Sequence, residues 1–372
     1  MTDSLFDNAF FALLRSGLWE QGAQVSPYEP LDFNALFQMA KDQSVVGLLA
    51  AGLEHVEDRK VTKQEAVPFL KKVVALENRN ASMNTFIESL FIKLRGAGIS
   101  SMLVKGQGIA QCYERPQWRY SGDVDLLLDA ENYVKARELF AKEIAVAEPE
   151  GKSIKHQGMK LSAWTVELHG TLRSELSPRV DRIIDSVQEE CIRFGLVRLW
   201  RDGGTDIFLP SPDSDVIFIF THILKHFYKG GIGLRQICDW CRLLWTYRDG
   251  IDKSLLEKRL RKMHLMSEWK AFAAMVVDYL GFPISEMPLY DPDIRWSKKA
   301  TRILSFIMKV GNFGWKRDMS YYQKYPYLVR KAISLGRRFG DSVRHVSIFP
   351  LDSLRFFPNL VFSGLRNASR GE

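Results

Sequence analysis

The spacing of apolar residues changes character near residue 98, and that change dictates a chain of mixed architecture. Before it, apolar side chains recur every three to four residues, as in Phe6, Phe10, Leu13 and Leu14 and again in Leu36, Met39, Val46 and Leu49, the repeat that turns one face of a helix toward a core. The longest such run fills residues 64–95 through Phe69, Val73, Leu76, Met83, Phe86, Leu90 and Leu94, and Gly96 and Gly98 end it. Beyond residue 98 the pattern becomes mixed. Residues 101–104 and 123–128 have strand character, a short helix is expected over 108–114, and Asp129 is placed to cap a helix over 130–144. Two more extended pieces, 160–169 and 197–209, complete an α/β unit.

After residue 210 the helical repeat returns. Ser211-Pro212 combines a capping residue with proline at the first helical position and opens a helix through Phe227. Helical spacing continues over 234–244, 255–280 and 298–310, with a loop over 283–292. The expected fold is therefore α+β: a helical N-terminal region over 1–97, a central mixed-sheet domain over 98–210, and a helical C-terminal region over 211–372. A composition of 46% apolar and 26% charged residues is that of an ordinary globular protein and argues against disorder. Length points the same way, since 372 residues suit two or three structural units.

No apolar run reaches the ~20 residues needed to cross a bilayer; the best, 216–224, contains His222 and is followed by Lys225. The first residues, Met-Thr-Asp-Ser-Leu-Phe-Asp, lack the basic and apolar regions of a signal peptide, so a cytoplasmic protein with free thiols at Cys112, Cys191, Cys238 and Cys241 is expected. Cys238 and Cys241 have CxxC spacing but lie in an expected helix with no second CxxC to complete a zinc site. The net charge of +8 is concentrated in residues 316–344, where eight basic residues face two acidic ones. Such a stretch suits a polyanion or a solvated helix face, and without a recognisable binding motif nucleic acid ranks last among partners.

The chemistry centres on Tyr120-Ser-Gly-Asp-Val-Asp-Leu-Leu-Leu. Alternation along a strand puts Asp123 and Asp125 on one face and Val124, Leu126 and Leu128 on the other. Two carboxylates held side by side repel, and a divalent cation between them removes that cost. Mg²⁺ or Mn²⁺ suits such oxygen ligands. The same alternation in Trp164-Thr-Val-Glu-Leu-His puts Glu167 and His169 on one face; Glu167 can complete the metal site or act as a base. His169 can meet substrate or orient Glu167. Upstream, Leu103-Val-Lys-Gly-Gln-Gly is a strand-to-helix turn in which Lys105, Gly106, Gln107 and Gly108 could border a phosphate. Arg119 could guide a triphosphate or serve as counter-charge to the aspartates. His222 and His226 lie four apart on one helix flank, suiting a metal pair or two hydrogen-bonded imidazoles beside the α/β unit. Arg235 and Asp239 have the spacing of a helix-surface pair. Trp118 is the tryptophan best placed for base stacking.

Together, Val-Lys-Gly at 104–106, Arg-Tyr-Ser-Gly-Asp-Val-Asp-Leu-Leu at 119–127 and Val-Glu-Leu-His at 166–169 resemble the uncharacterised nucleotidyltransferase family of the DNA polymerase β-like superfamily. That family shows a Leu-Lys-Gly element, an Arg-x-Ser-x-Asp-Ile-Asp-Leu-Leu-Val strand and an Asp-Leu-His element. His222-Ile-Leu-Lys-His and Leu234-Arg-Gln-Ile-Cys-Asp resemble its helical segments, and the likeness spans roughly residues 30–280. The resemblance implies Asp123, Asp125 and Glu167 as catalytic metal ligands, and Lys105 to Gly108 with Arg119 and Ser121 around the nucleotide phosphates. Gln107 stands where the superfamily has serine, the gap from Gly106 to Asp123 is long, and the third acid is Glu. The implied function is metal-dependent transfer of a nucleoside monophosphate from an NTP to a small-molecule acceptor. The alternative is a catalytically silent module for nucleotide sensing or protein interaction.

Overall fold

The computed structural model describes residues 6, 8–141, 156–312, 324–356 and 358–359. Four helices come first: α1 (Ala9–Trp19), α2 (Phe33–Asp42), α3 (Val46–Glu54) and the long α4 (Lys63–Gly96). Helix α4 starts on a reciprocal cap. Thr62 Oγ1 accepts from the Glu65 N–H, and the Glu65 carboxylate accepts from the Thr62 N–H at 2.8 Å, satisfying two otherwise free donors. Helices α1 and α3 approach closely enough that their glycines are sterically required. A β-carbon on Gly17 would fall on the carbonyl oxygen of Leu48, and one on Gly52 would fall on that of Leu13.

Six strands and three helices follow: β1 (Met102–Val104), α5 (Gly106–Ala110), β2 (Asp123–Leu127), α6 (Ala130–Phe140), β3 (His156–Leu161), β4 (Trp164–His169), α7 (Pro178–Phe194), β5 (Val197–Asp202) and β6 (Thr205–Pro210). The main sheet has the order β1-β2-β4-β3. The β2 and β4 pair is parallel and the outer pairs are antiparallel. Asp129 caps α6 by accepting from the Asn132 N–H at 2.7 Å, as its position predicts. Residues 142–144 of the expected helix lie outside the described residues. The extended pieces expected at 160–169 and 197–209 are hairpins: β3 turns into β4 at Ser162, with φ +53°, and β5 into β6 at Gly203 and Gly204. A turn of two residues does not interrupt an apolar pattern strongly enough to be read as a break. The expected helix over 108–114 is the five-residue α5, starting at Gly106.

The remaining helices are α8 (Pro212–Lys229), α9 (Leu234–Thr246), α10 (Lys253–Met263), α11 (Met266–Leu280), α12 (Ile294–Val310) and α13 (Tyr327–Ile348). The helical run over 255–280 is broken at His264, which takes the left-handed conformation with φ +58°. Ser211 does not cap α8 through its side chain; its hydroxyl bonds to that of Ser214 at 3.0 Å, leaving Pro212 as the start signal. Lys316 and Arg317 of the basic stretch lie outside the described residues. All four cysteines are buried free thiols. Among the described residues no helix is long and apolar enough to cross a membrane.

Two apolar cores organise the molecule. One joins α1 and α3 to α8, α9, α11 and α12, so helices before and after the sheet pack as one body. The other lies between the sheet and α4 and α6 and includes Val124, Leu126, Val166 and Leu168, each no more than 1% exposed. Burial of a side chain of this kind contributes about 1.5–3 kcal/mol. A one-residue register slip would expose all four and bury the acidic residues between them. The apolar face therefore fixes which way the carboxylates point. The glycine contacts make a separable test: Gly17→Ala and Gly52→Ala should each cost about 1–3 kcal/mol or more in denaturant unfolding. Gly96→Ala, with open space around it, should change stability by less than about 1 kcal/mol.

Candidate active site

Strands β2 and β4 run parallel with Asp125 opposite Glu167 and Leu127 opposite His169. Asp123, Asp125, Glu167 and His169 consequently share one face, turned toward α8 and α9. They line a cavity of about 600 Å³, with Lys105, Lys225 and Arg235 also on its wall. Val104 pairs with Asp125 across β1 and β2, so the next residue, Lys105, reaches the same carboxylate: Nζ lies 2.9 Å from Asp125 Oδ1. Lys105 holds φ +58° and ψ −144°, a region that glycine favours and that costs other residues about 1–3 kcal/mol. Strain at this position coincides with placement of its ammonium among the acids.

The carboxylates are electrostatically unequal. Burial pushes Asp125 toward the neutral form, but Lys105 and then His169, whose Nε2 lies 2.7 Å from Asp125 Oδ1, hold its carboxyl below the ordinary range. Glu167 is half-buried, and although desolvation pushes it up, His156 Nε2 at 3.1 Å and His169 Nε2 at 3.4 Å hold it well below its usual pKa. Asp123 goes the other way. The negative charge of Asp125, followed by burial, raises it from 3.8 to about 6. The arrangement thus leaves one acidic group under repulsion beside another that is already paired. An all-oxygen pair in that state fits Mg²⁺ or Mn²⁺, which would relieve the repulsion.

Across the cavity, burial followed by the nearby charges of Lys229 and Lys105 lowers Lys225 to about 8. Arg235 donates through Nη1 to the Tyr120 carbonyl at 3.3 Å, and its Nε has no partner among the described residues. His222 and His226 also face the cavity, with ring centroids 4.4 Å apart. Burial drives His222 well below its ordinary pKa and takes His226 to about 3, so both are neutral imidazoles near pH 7.

Several expected contacts have other partners. Arg119 is 5% exposed and grips Asp239 with Nε and Nη2, both at 2.7 Å, instead of pairing with Asp123 or Asp125. Asp239 also accepts from Tyr113 Oη at 2.7 Å, so it forms no helix-surface pair with Arg235. Arg119 Nη1 donates to Ser121 Oγ at 2.8 Å, Ser121 Oγ donates to Gln107 Oε1 at 3.3 Å, and Gln107 Nε2 donates to Asn80 Oδ1 at 3.3 Å. Asn80 Nδ2 in turn holds the carbonyls of Gln117 and Arg119 at 2.6 and 2.8 Å. This buried chain fixes the loop ahead of Asp123.

Arg119, Ser121 and Gly106 still border the cavity, but Gln107 and Gly108 lie behind its wall. A β-carbon on Gly108 would sit 2.9 Å from Leu209 Cδ2, which makes this glycine a packing requirement against β6. With only five residues, α5 offers little helix dipole. Trp118 donates to Glu77 Oε1 at 2.7 Å, has Arg115 4.4 Å from its ring centroid and packs half-buried against the helical core, outside the wall of the cavity. His156 and Lys225 also line the cavity, outside the motifs that mark the other site residues. His156 is hidden because β3 is short, polar and interrupted by Gly158. Lys225 was legible as the residue three after His222 on the same helix face.

A small mixed sheet carrying acidic residues, enclosed by helices, defines an α+β protein of nucleotidyltransferase type. The chain belongs to the uncharacterised nucleotidyltransferase family, whose sequence model matches residues 29–281. It is similar in structure to an antigenic nucleotidyltransferase-like protein from Paracoccidioides brasiliensis, at 14% identity over 54% of this chain and 93% of that one, with a TM-score of 0.33. No curated protein matches the sequence.

Two outcomes follow from the site's electrostatics. Above pH 6 the charged Asp123 costs stability in the metal-free protein; between about 6 and 3.8 it takes up its proton in the folded state first, and that cost disappears. Asp123→Asn should therefore raise metal-free stability by about 1–3 kcal/mol at pH 8, with the gain vanishing by pH 4, as thermal unfolding in EDTA will show. Arg119→Ala leaves Asp239 buried without its cation and should cost about 3–5 kcal/mol, measured by urea unfolding.

Proposed function

We propose that this protein is a metal-dependent nucleotidyltransferase that moves a nucleoside monophosphate from an NTP to a small-molecule acceptor. One observation carries the reading: Asp123, Asp125 and Glu167 line one wall of a roughly 600 Å³ cavity, and Lys225 and Arg235 lie on its wall as cations with no carboxylate at ion-pair distance among the described residues. A cavity with separate acidic and basic surfaces suits a phosphate chain bridged to a cation. Asp123 and Asp125 would hold Mg²⁺ or Mn²⁺, with Glu167 as the third acid. When bound, the ion supplies neutralisation of phosphate charge and orientation of the attacking oxygen.

The chain's own residues bind and position. Lys225 and Arg235 would take the triphosphate oxygens. Lys105, released from Asp125 when that carboxylate turns to the cation, would move toward the same phosphates. The acceptor oxygen would then bond to the α-phosphorus, its hydroxyl proton passing to water, as the bond to the bridging oxygen breaks and pyrophosphate leaves. His222 and His226, neutral and facing the cavity, would offer hydrogen bonds to the acceptor without adding charge. Phe218, Ile219 and Ile223 make the neighbouring wall apolar, which favours a compact ligand over a nucleic-acid strand.

A second reading, a nucleotide-sensing or protein-interaction module without turnover, is favoured by the Lys105–Asp125 ion pair: a cation of the chain itself already neutralises the central acid. Binding of ATP, GTP, CTP and UTP with Mg²⁺ or Mn²⁺, together with pyrophosphate release over a panel of hydroxylated acceptors, separates the two. For the transferase, Asp123→Ala and Asp125→Ala each reduce pyrophosphate release to about one-hundredth or less, a loss of about 2.7 kcal/mol or more. Metal-dependent NTP binding without release points to the sensor. Absence of NTP binding overturns both nucleotide readings.

A further inference from the structure

Beside the two aspartates is a second group of donors with different chemistry. His156 on β3, Glu167 on β4 and His169 on β4 offer one ligand atom each, all within 4.8 Å of one another. The sheet register builds the group: His156 pairs with His169 across β3 and β4, while Glu167 sits two residues earlier on the same face of β4. Both imidazoles converge on a single carboxylate oxygen. His156 Nε2 lies 3.1 Å and His169 Nε2 3.4 Å from Glu167 Oε2, and the two rings are 4.8 Å apart at 39°.

Hydrogen bonds account for two of the contacts around the rings, His156 Nε2 to Glu167 Oε2 at 3.1 Å and His169 Nε2 to Asp125 Oδ1 at 2.7 Å. The 3.4 Å approach of His169 Nε2 to Glu167 Oε2 is left over, because one N–H cannot aim at both acids, and a shared cation would account for it. Ligands bound tetrahedrally at about 2.0–2.2 Å lie roughly 3.3–3.5 Å from one another, close to the two separations observed. Both contacts use Oε2, leaving Glu167 Oε1 outside them.

We infer that His156, Glu167 and His169 form a binding site for a zinc-class divalent ion, distinct in its imidazole ligands from the oxygen-only pair Asp123 and Asp125 but adjoining it, through Glu167, which both would use, and through His169 beside Asp125. Two imidazoles and a carboxylate suit Zn²⁺, Co²⁺ or Cu²⁺, whereas Mg²⁺ prefers oxygen ligands alone. Three protein ligands leave a fourth position open, and all three residues border the cavity, so that position faces whatever occupies it. The site requires no nucleotide and does not rest on nucleotidyl transfer.

Calorimetric titration of the tag-free, EDTA-treated full chain with ZnCl₂, without nucleotide, tests the assignment. One Zn²⁺ per chain is expected. His156→Ala should weaken binding by roughly 100-fold or more, beyond the loss typical of residues outside the ligand set, and His169→Ala should do the same. Asp123→Asn should leave zinc affinity unchanged. Spin-echo spectra of the Cu²⁺-loaded chain should show imidazole nitrogen couplings that weaken in His156→Ala. His156 is half-exposed on an edge strand, and matched thermal unfolding of the metal-free variants confirms that they fold. Absence of zinc binding, unchanged affinity in His156→Ala, or an equal loss in Asp123→Asn overturns the inference. Zinc binding without any NTP binding or pyrophosphate release overturns the proposed function and leaves this site standing.

Discussion

The register between β2 and β4 is the constraint on which the site depends. Val124, Leu126, Val166 and Leu168 are held in the core between the sheet and α4 and α6, and their burial decides the orientation of every intervening side chain. Asp123, Asp125, Glu167 and His169 meet because the opposite face cannot be moved without exposing that core. The like-charge repulsion visible in the raised pKa of Asp123 is thus tolerated energetically by apolar packing on the other side of the same strands.

A polar network transmits that placement to the surrounding helices. The Arg119–Asp239 pair ties the segment before β2 to α9, and the chain from Arg119 through Ser121 and Gln107 to Asn80 ties it to α5 and α4. Because each member is buried and partnered, the network penalises any loop conformation that leaves a donor open. Residues that a motif would assign to phosphate binding, notably Gln107 and Gly108, are used here to hold the turn and pack it on β6. Lys105 remains at the cavity, in a strained conformation, because its neighbours have taken the structural work.

What the sequence discloses depends on the range of the interaction. Period-two alternation identifies the shared face of Asp123 and Asp125 and that of Glu167 and His169, since one strand contains all the information needed. Helical spacing likewise identifies α4, and places His222 and His226 on one flank. The partner of Arg119 is 120 residues away in sequence, and no local pattern distinguishes Asp239 from an acid that would pair with Arg235. His156 enters the site only through cross-strand pairing of a hairpin whose turn at Ser162 is too short to interrupt the extended pattern. The capping serine at 211 shows a related limit: residue type proposes a hydrogen bond, and the nearby hydroxyl of Ser214 diverts it.

The shared helical core has a consequence for how the chain is made. Trp19 Nε1 bonds to the Leu280 carbonyl at 2.6 Å, across 261 residues. At a synthesis rate of ~5–20 residues per second, roughly 13–50 s pass between the appearance of that donor and of its acceptor on the ribosome. During this interval α1 and α3 have each other, through the glycine-mediated contact at Gly17 and Gly52, but not the helices that later cover their outer surfaces. The close crossing of α1 and α3 therefore acts as a provisional shelter for a nascent N-terminus, and the α/β unit emerges as an insertion within a helical body that only the last third of the chain can close.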